Sequence, residues 1–174
     1  FVEGGGVLIL ISTNLGDSFY DTNLNHVARL FDFEFASDQV EDPFSSQEFT
    51  NIVEISHFES SMFSSNVHEI LYSGCSINVL DPTVIRLAET KQGMSPAGTP
   101  VAVLSANRRV FGIGGFNLFS DHEEYGIDKA NNLEFLYEVF HCVSYMPAYF
   151  QSMCLYMRAS FFQKILETQG KSVQ

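Results

Sequence analysis

The segment Gly4-Gly5-Gly6-Val7-Leu8-Ile9-Leu10-Ile11-Ser12-Thr13-Asn14-Leu15-Gly16-Asp17 constrains the fold more than any other. Three glycines make a turn, five consecutive aliphatic residues ask for a strand covered on both faces, and a polar loop follows. Asp21 or Thr22 is placed to cap a helix that runs to about Phe31, with Leu24, Val27, Ala28 and Phe31 at i, i+3, i+4 and i+7. Strand, loop and helix in that order are half of a parallel α/β unit. The sequence therefore predicts a mostly parallel sheet with residues 7–12 buried at or near its middle.

With 174 residues the chain is about one domain long, enough to bury roughly two thirds of its unfolded surface in a single core without disulfide or metal staples. Phe at 17 and Trp at 0 make that core aromatic and bulky. Nine basic against 21 acidic residues give a net charge of -12, which repels phosphate backbones and anionic lipid. The basic residues are scattered, Arg108-Arg109 being the one adjacent pair, so nucleic acid is excluded as a partner. Cys75, Cys142 and Cys154 are odd in number and at no metal-binding spacing, and no Asn-x-Ser/Thr sequon occurs. A reducing, cytoplasmic setting fits these features. No apolar run approaches the ~18 residues of a membrane span, so direct membrane insertion is not expected.

Further along, Phe33-Glu34-Phe35 alternates like a short strand, and residues 37–47 read as an acidic, Ser-rich surface loop. Ile52 to Ile55, Ser76 to Leu80 and Val84 to Ala88 are short β-like pieces, the last two separated by Pro82 as in a hairpin. They indicate a hairpin-rich insertion or an antiparallel margin to the sheet. Val101 to Ser105 and Val110 to Gly114 flank a four-residue basic turn and predict an antiparallel hairpin. Asn131 or Asn132 is placed to cap a helix with Leu133, Leu136, Tyr137, Phe140 and Val143 along one face. Pro147 can start a last helix, with Phe150, Cys154, Met157, Phe161 and Ile165 on one side, ending near Gly170.

Gly4-Gly5-Gly6 precedes its strand, whereas a phosphate cradle needs glycines between a strand and a helix, so a turn is the better reading. Gly112-Ile113-Gly114-Gly115 follows a strand but lacks the third fingerprint glycine, which points to close backbone packing. Asp17, Asp21, Asn23 and Asn25 crowd the carboxyl end of the first strand, where open α/β sheets place ligands, and capping is the competing role. Asn117 and Asp121 lie in the loop after the strand at 110–114 and join them as candidate binding residues. Cys75 has glycine beside it but Ser73 and Ile77 where a nucleophile elbow wants glycines. His122 and Glu124 could act as its base and orienting group if folding brought the three together. No metal site and no cofactor are expected.

Three blocks together resemble the GIFT domain, shared by an intraflagellar-transport subunit and a bacterial gliding-motility transporter component and related to class I glutamine amidotransferases. They are FVEGGGVLILIS with DTNLN before a helix, SINVLDP with VAVLS, and VFGIGGFNLFSD followed by a helix. The resemblance covers about residues 1–145 and leaves 146–174 as an extra helix. It implies a flavodoxin-like α/β sandwich, and a binding module that has lost the amidotransferase nucleophile and histidine. Gly-x-Cys-x-Gly is absent here, and Phe119-Ser120-Asp121-His122-Glu123 stands where amidotransferases carry His-Pro-Glu. The family frame also places a strand-helix-strand-helix segment before the glycine turn. The sequence accordingly reads as truncated at its N-terminus, with an apolar face beside Val7 to Ile11 left open or filled by the last helix or by another chain.

Two functions follow as expectations. One is a non-catalytic binding or interaction domain of a transport- or trafficking-type scaffold, its partner a protein or the remainder of its own parent chain. The other is a cysteine-dependent hydrolase or amidotransferase using Cys75 with His122 and Glu124.

Overall fold

The computed structural model describes residues 1–45, 49–59, 61–63 and 66–144. The helix expected from Pro147, with Cys154, lies outside the described residues. Nine strands are formed among those described: β1 Leu8–Ile11, β2 Phe33–Phe35, β3 Val53–Ile55, β4 His57–Phe58, β5 Ile70–Tyr72, β6 Ile77–Val79, β7 Ile85–Glu89, β8 Pro100–Leu104 and β9 Val110–Ile113. Helices α1 Gly16–Tyr20 and α2 Leu24–Ala28 lie between β1 and β2, and α3 Asn132–Ser144 closes the described chain. Short 3-10 turns follow at Arg29–Phe31 and Asn117–Phe119.

The central sheet has the order β1-β9-β8-β7-β4, with β2-β6 and β3-β5 as separate two-stranded ribbons. Only β1 with β9 is parallel; β9-β8, β8-β7 and β7-β4 are all antiparallel. This corrects the expectation of a mostly parallel sheet. Sequential strands joined by short turns must run antiparallel, and β8 and β9 are joined in that way, pairing Ala102 with Ile113 and Leu104 with Phe111. The fold is mixed α/β, strand-rich, with few helices. The hairpin expected across Pro82 does not form either, since β6 pairs with β2 and β7 with β8.

Both faces of the sheet are covered, which is why β8 is buried at all five positions and reads as an unbroken apolar run. On one face Phe33, Phe35, Cys75, Ile77 and Ala28 pack against Val103 and Val110. On the other, α3 and the β3-β5 ribbon pack against Ala102, Leu104, Phe111 and Ile113. The buried stripe of α3 is Phe135, Leu136, Val139 and Val143, while Tyr137 is exposed. The helix is therefore rotated from the face expected, because its phase is set by Asn132, whose side chain is buried at its first turn.

β1 is the terminal strand of the sheet and not its middle. Leu10 points into the core, but Ile9 and Ile11 are 38% and 37% exposed. The N–H groups of Leu8 and Ser12 bond to the carbonyls of Arg109, just before β9, and Ile113 in it, so the alternate residues Ile9 and Ile11 turn theirs to the outer edge. Among the described residues that edge pairs with no strand, and the apolar face expected beside residues 7–11 is open there.

The glycines of the segment 112–115 serve close packing, as expected. A Cβ on Gly74 would lie 2.3 Å from the Gly114 carbonyl oxygen, and one on Gly114 would lie 2.1 Å from that of Cys75. Two backbones touch there with no room for a methyl group. Gly74→Ala should lower the unfolding free energy by about 1–3 kcal/mol, measured by urea denaturation, whereas Gly4→Ala, whose nearest contact would be an ordinary 3.4 Å, should be close to neutral. Equal stability of the two variants would contradict this packing.

Candidate functional site

Asp17 sits in α1 and its carboxylate reaches forward to the next helix. Oδ1 accepts from the Leu24 N–H at 3.1 Å and Oδ2 from the Asn25 N–H at 3.0 Å, and Oδ1 also accepts from the Thr22 hydroxyl. Asp17 thus satisfies the first-turn donors of α2 and places negative charge at its amino end. This corrects the assignment of the cap to Asp21 or Thr22. Asp21 ends α1 in the left-handed region at φ 50°, and Asp21 and Asn23 are both exposed.

Asn25 is buried and its amide pairs with both backbone groups of Phe35, Nδ2 donating to the carbonyl at 3.0 Å and Oδ1 accepting from the N–H at 2.7 Å. Asn117 is buried as well: Nδ2 donates to the Leu71 and Tyr125 carbonyls, each at 2.9 Å, and Oδ1 accepts from the Ser73 N–H at 3.0 Å. Asn132 accepts from the Leu71 N–H at 2.9 Å and donates to the Leu71 and Gly126 carbonyls at 3.2 and 2.8 Å. Asn131 accepts from the His68 and Glu69 N–H groups. The side chains of Asn131 and Asn132 thus bond to the β5 segment rather than capping α3. Asn25 and Asn117, expected at a binding surface, have their amides directed inward. Reading the sequence alone missed this because Asn is equally common at caps, turns and ligand sites; the signal available was their position before or after a strand.

Asp121 is exposed, as are His122, Glu123 and Glu124. The His122 ring stacks on Tyr125 at 3.7 Å between centroids, and its Nδ1 accepts from the Glu124 N–H at 3.2 Å. Cys75, by contrast, is 0% exposed. Its N–H donates to the Gly114 carbonyl at 3.0 Å and its thiol contacts the same oxygen at 3.6 Å. The Tyr72 hydroxyl donates to the Cys75 carbonyl at 2.5 Å. Burial pushes the Cys75 thiol up to about 12, the Asp38 charge adding to this and a hydrogen bond with Ser12 opposing it. A thiolate nucleophile requires the opposite environment. The structure places Cys75 in the core and His122 with Glu124 on a surface loop, so it does not bring the three into one site.

What the carboxyl end of β1 does form is an open cleft of about 710 Å³. Asp17 and Asn23 are in its lining, with Ser12, Thr13 and Thr22 as the other polar side chains and Ile11, Tyr20, Leu24, Val27 and Phe116 as the apolar ones. Tyr20 and Phe116 are more than half exposed. No group of three or more His, Cys, Asp or Glu placed to hold a metal ion occurs among the described residues. Nor is any described helix long and apolar enough to cross a membrane.

No protein-family model matches the chain, and no curated protein matches it. Among solved structures it is similar to one described as the mmIFT52 N-terminal domain, with a TM-score of 0.68 and 19% identity over 81% of this chain and 67% of that one. The likeness supports the GIFT-like fold expected from the three sequence blocks. At that level of identity it is a statement about the fold.

The buried thiol has a consequence for stability against pH. Below the ordinary thiol value of about 9 the group is neutral in both folded and unfolded chains. Above it the unfolded chain releases a proton that the folded chain retains, so stability is lost as pH rises toward about 12, at ~1.4 kcal/mol per pH unit for this one group. Cys75→Ala should flatten that part of the decline in a urea series from pH 8 upward. Iodoacetamide at neutral pH should label native Cys75 no faster than an ordinary thiol; rapid, pH-shifted labelling would contradict the buried assignment.

Proposed function

We propose that this chain is a non-catalytic binding domain of a larger protein assembly, of the transport or trafficking scaffold type, working in the cytoplasm. The observation that carries the reading is the position of Cys75: the one cysteine considered as a nucleophile lies in the core with its acidity suppressed. The GIFT-like fold and its likeness to the mmIFT52 N-terminal domain support the same reading. So does the acidic balance of the chain, which favours a protein partner over nucleic acid. We infer further that the fold derives from an amidotransferase-like sandwich whose catalytic set is no longer assembled. The exposed polar groups at the carboxyl end of β1, Asp21 and Asn23, with Asp121 on its loop, form the contact surface for the partner, and Asp17 holds the underlying helix in place.

Affinity purification of the tagged chain from cells, with quantitative mass spectrometry, tests this. The retained proteins should be the same for the native chain and for Cys75→Ala, and should drop about tenfold with Asp21→Lys combined with Asp121→Lys, as loss of a few polar contacts implies. Hydrolysis of glutamine or a peptide amide that Cys75→Ala abolishes would overturn the proposal.

A further inference from the structure

Phe44 is 85% exposed. Apolar side chains exposed singly are common, but the backbone beneath this one is held. The Asp42 carboxylate accepts from the Phe44 N–H at 3.0 Å and the Asp42 carbonyl from the Ser45 N–H at 3.1 Å. The Asp42 N–H donates to the Thr50 carbonyl at 2.8 Å. Asp42 is itself buried, with its carboxylate 4.0 Å from the Lys91 Nζ, and Pro43 has its φ fixed by its ring. The turn is rigid and its aromatic tip is in water.

A second loop is tied to it. Glu41 and Ser95 exchange both backbone hydrogen bonds at 2.9 Å, and Met94 is buried beside Ser95 in the chain. The Thr90 hydroxyl donates to the Pro96 carbonyl at 2.7 Å and accepts from the Thr99 N–H at 3.0 Å. Residues 91–99 precede β8, which runs antiparallel to β9, and β9 runs parallel to β1. The turn and this loop therefore stand at the carboxyl end of β1, the end that also carries Asp21 and Asp121.

We propose that Asp42-Pro43-Phe44 anchors the contact surface at this end, and that Phe44 seats in a Phe-sized apolar pocket, rimmed by Lys or Arg, on a protein partner. The proposal rests on the binding-domain reading and deepens it by giving the chemistry of the partner. Rigidity supports the anchor: a turn already fixed loses little conformational freedom on binding, the condition under which one buried aromatic ring can dominate an interface. Charge selects the partner. Residues 30–85 contain ten acids and neither Lys nor Arg. Lys91 sits against Asp42, while Glu41 is exposed with the neutral Gln39 amide as its side-chain partner at 3.2 Å. A second copy of the chain would bring a further net charge of -12, which disfavours it, and anionic lipid and nucleic acid are disfavoured on the same ground.

The probe is a photoreactive benzophenone amino acid placed at Phe44 of the full chain in the cells that make it, with the same group at Leu80, which is 53% exposed, as the comparison. Irradiation should link position 44, and not position 80, to one protein. That protein, purified, should bind the native chain with an affinity that falls as salt is raised and that drops about tenfold or more with Phe44→Ala and also with Glu41→Lys. The thermal midpoint of Phe44→Ala should match that of the native chain, because an exposed ring supports no core. No adduct at position 44, an adduct only to a second copy, an adduct partner whose binding is indifferent to salt, or one that holds Phe44→Ala as tightly as the native chain would each overturn the proposal. Partners retained on affinity purification and held equally by Phe44→Ala would overturn this anchor and leave the binding-domain reading standing, whereas no retained partner would remove both.

Discussion

The structure depends on a backbone problem at Leu71. β5 is a three-residue strand in a two-stranded ribbon, and in its register with β3 the Leu71 N–H and C=O turn away from the partner strand. Both are buried, so leaving them unpaired would cost about 1–3 kcal/mol each. A strand cannot reach them; the amide of Asn132 does, presenting a carbonyl and an NH₂ in the arrangement of a peptide group. Asn117 adds a second donor to the same carbonyl and ties it to Ser73 and Tyr125. Asn25 does the same for Phe35 at the outer side of β2. Asparagine side chains thus complete the strands that the sheet lacks, and in doing so they fix where α2, α3 and the loop 117–130 sit.

That arrangement sets what the surface can offer. Because Asn117 and Asn132 hold the loop against β5, the His122-Tyr125 stack and its acidic neighbours stay on the outside. Cys75 is fully buried at the Gly74-Gly114 backbone contact, its carbonyl accepting from the Tyr72 hydroxyl. The thiol is in the core and the imidazole on the surface, so they do not form one site. The same hydrogen bonds that stabilise the fold go with Cys75 in the core and His122 and Glu124 on the surface, and an open cleft of about 710 Å³ lies at the carboxyl end of β1.

Much of this was legible in the sequence. Val101 to Ser105 and Val110 to Gly114 form the hairpin that their spacing announces, and Phe33-Glu34-Phe35 is the short strand its alternation suggests. The residues of the first strand were placed correctly but not its position, because five aliphatics in a row report burial without saying against what. In β1 only Leu10 is fully in the core, and the outer pair is exposed. β5 was missed because Ile70-Leu71-Tyr72 is too short for a period to register and its pairing is supplied by side chains. Asn25, Asn117, Asn131 and Asn132 were read as caps or ligand residues for the same reason: a strand completed by an amide leaves no repeat in the sequence.

The most direct measurement of this account is the stability of Asn132→Ala together with native-state exchange of the Leu71 amide. Removing the amide leaves the Leu71 N–H without its partner, while the Gly126 carbonyl keeps the Lys129 N–H, so the unfolding free energy should fall by about 1–3 kcal/mol. The Leu71 amide should move from exchange limited by global unfolding to faster local opening. A variant within about 0.5 kcal/mol of the parent, a change typical of an uninvolved surface site, with the Leu71 amide as protected as before, would contradict the claim that side-chain amides stand in for the missing strands.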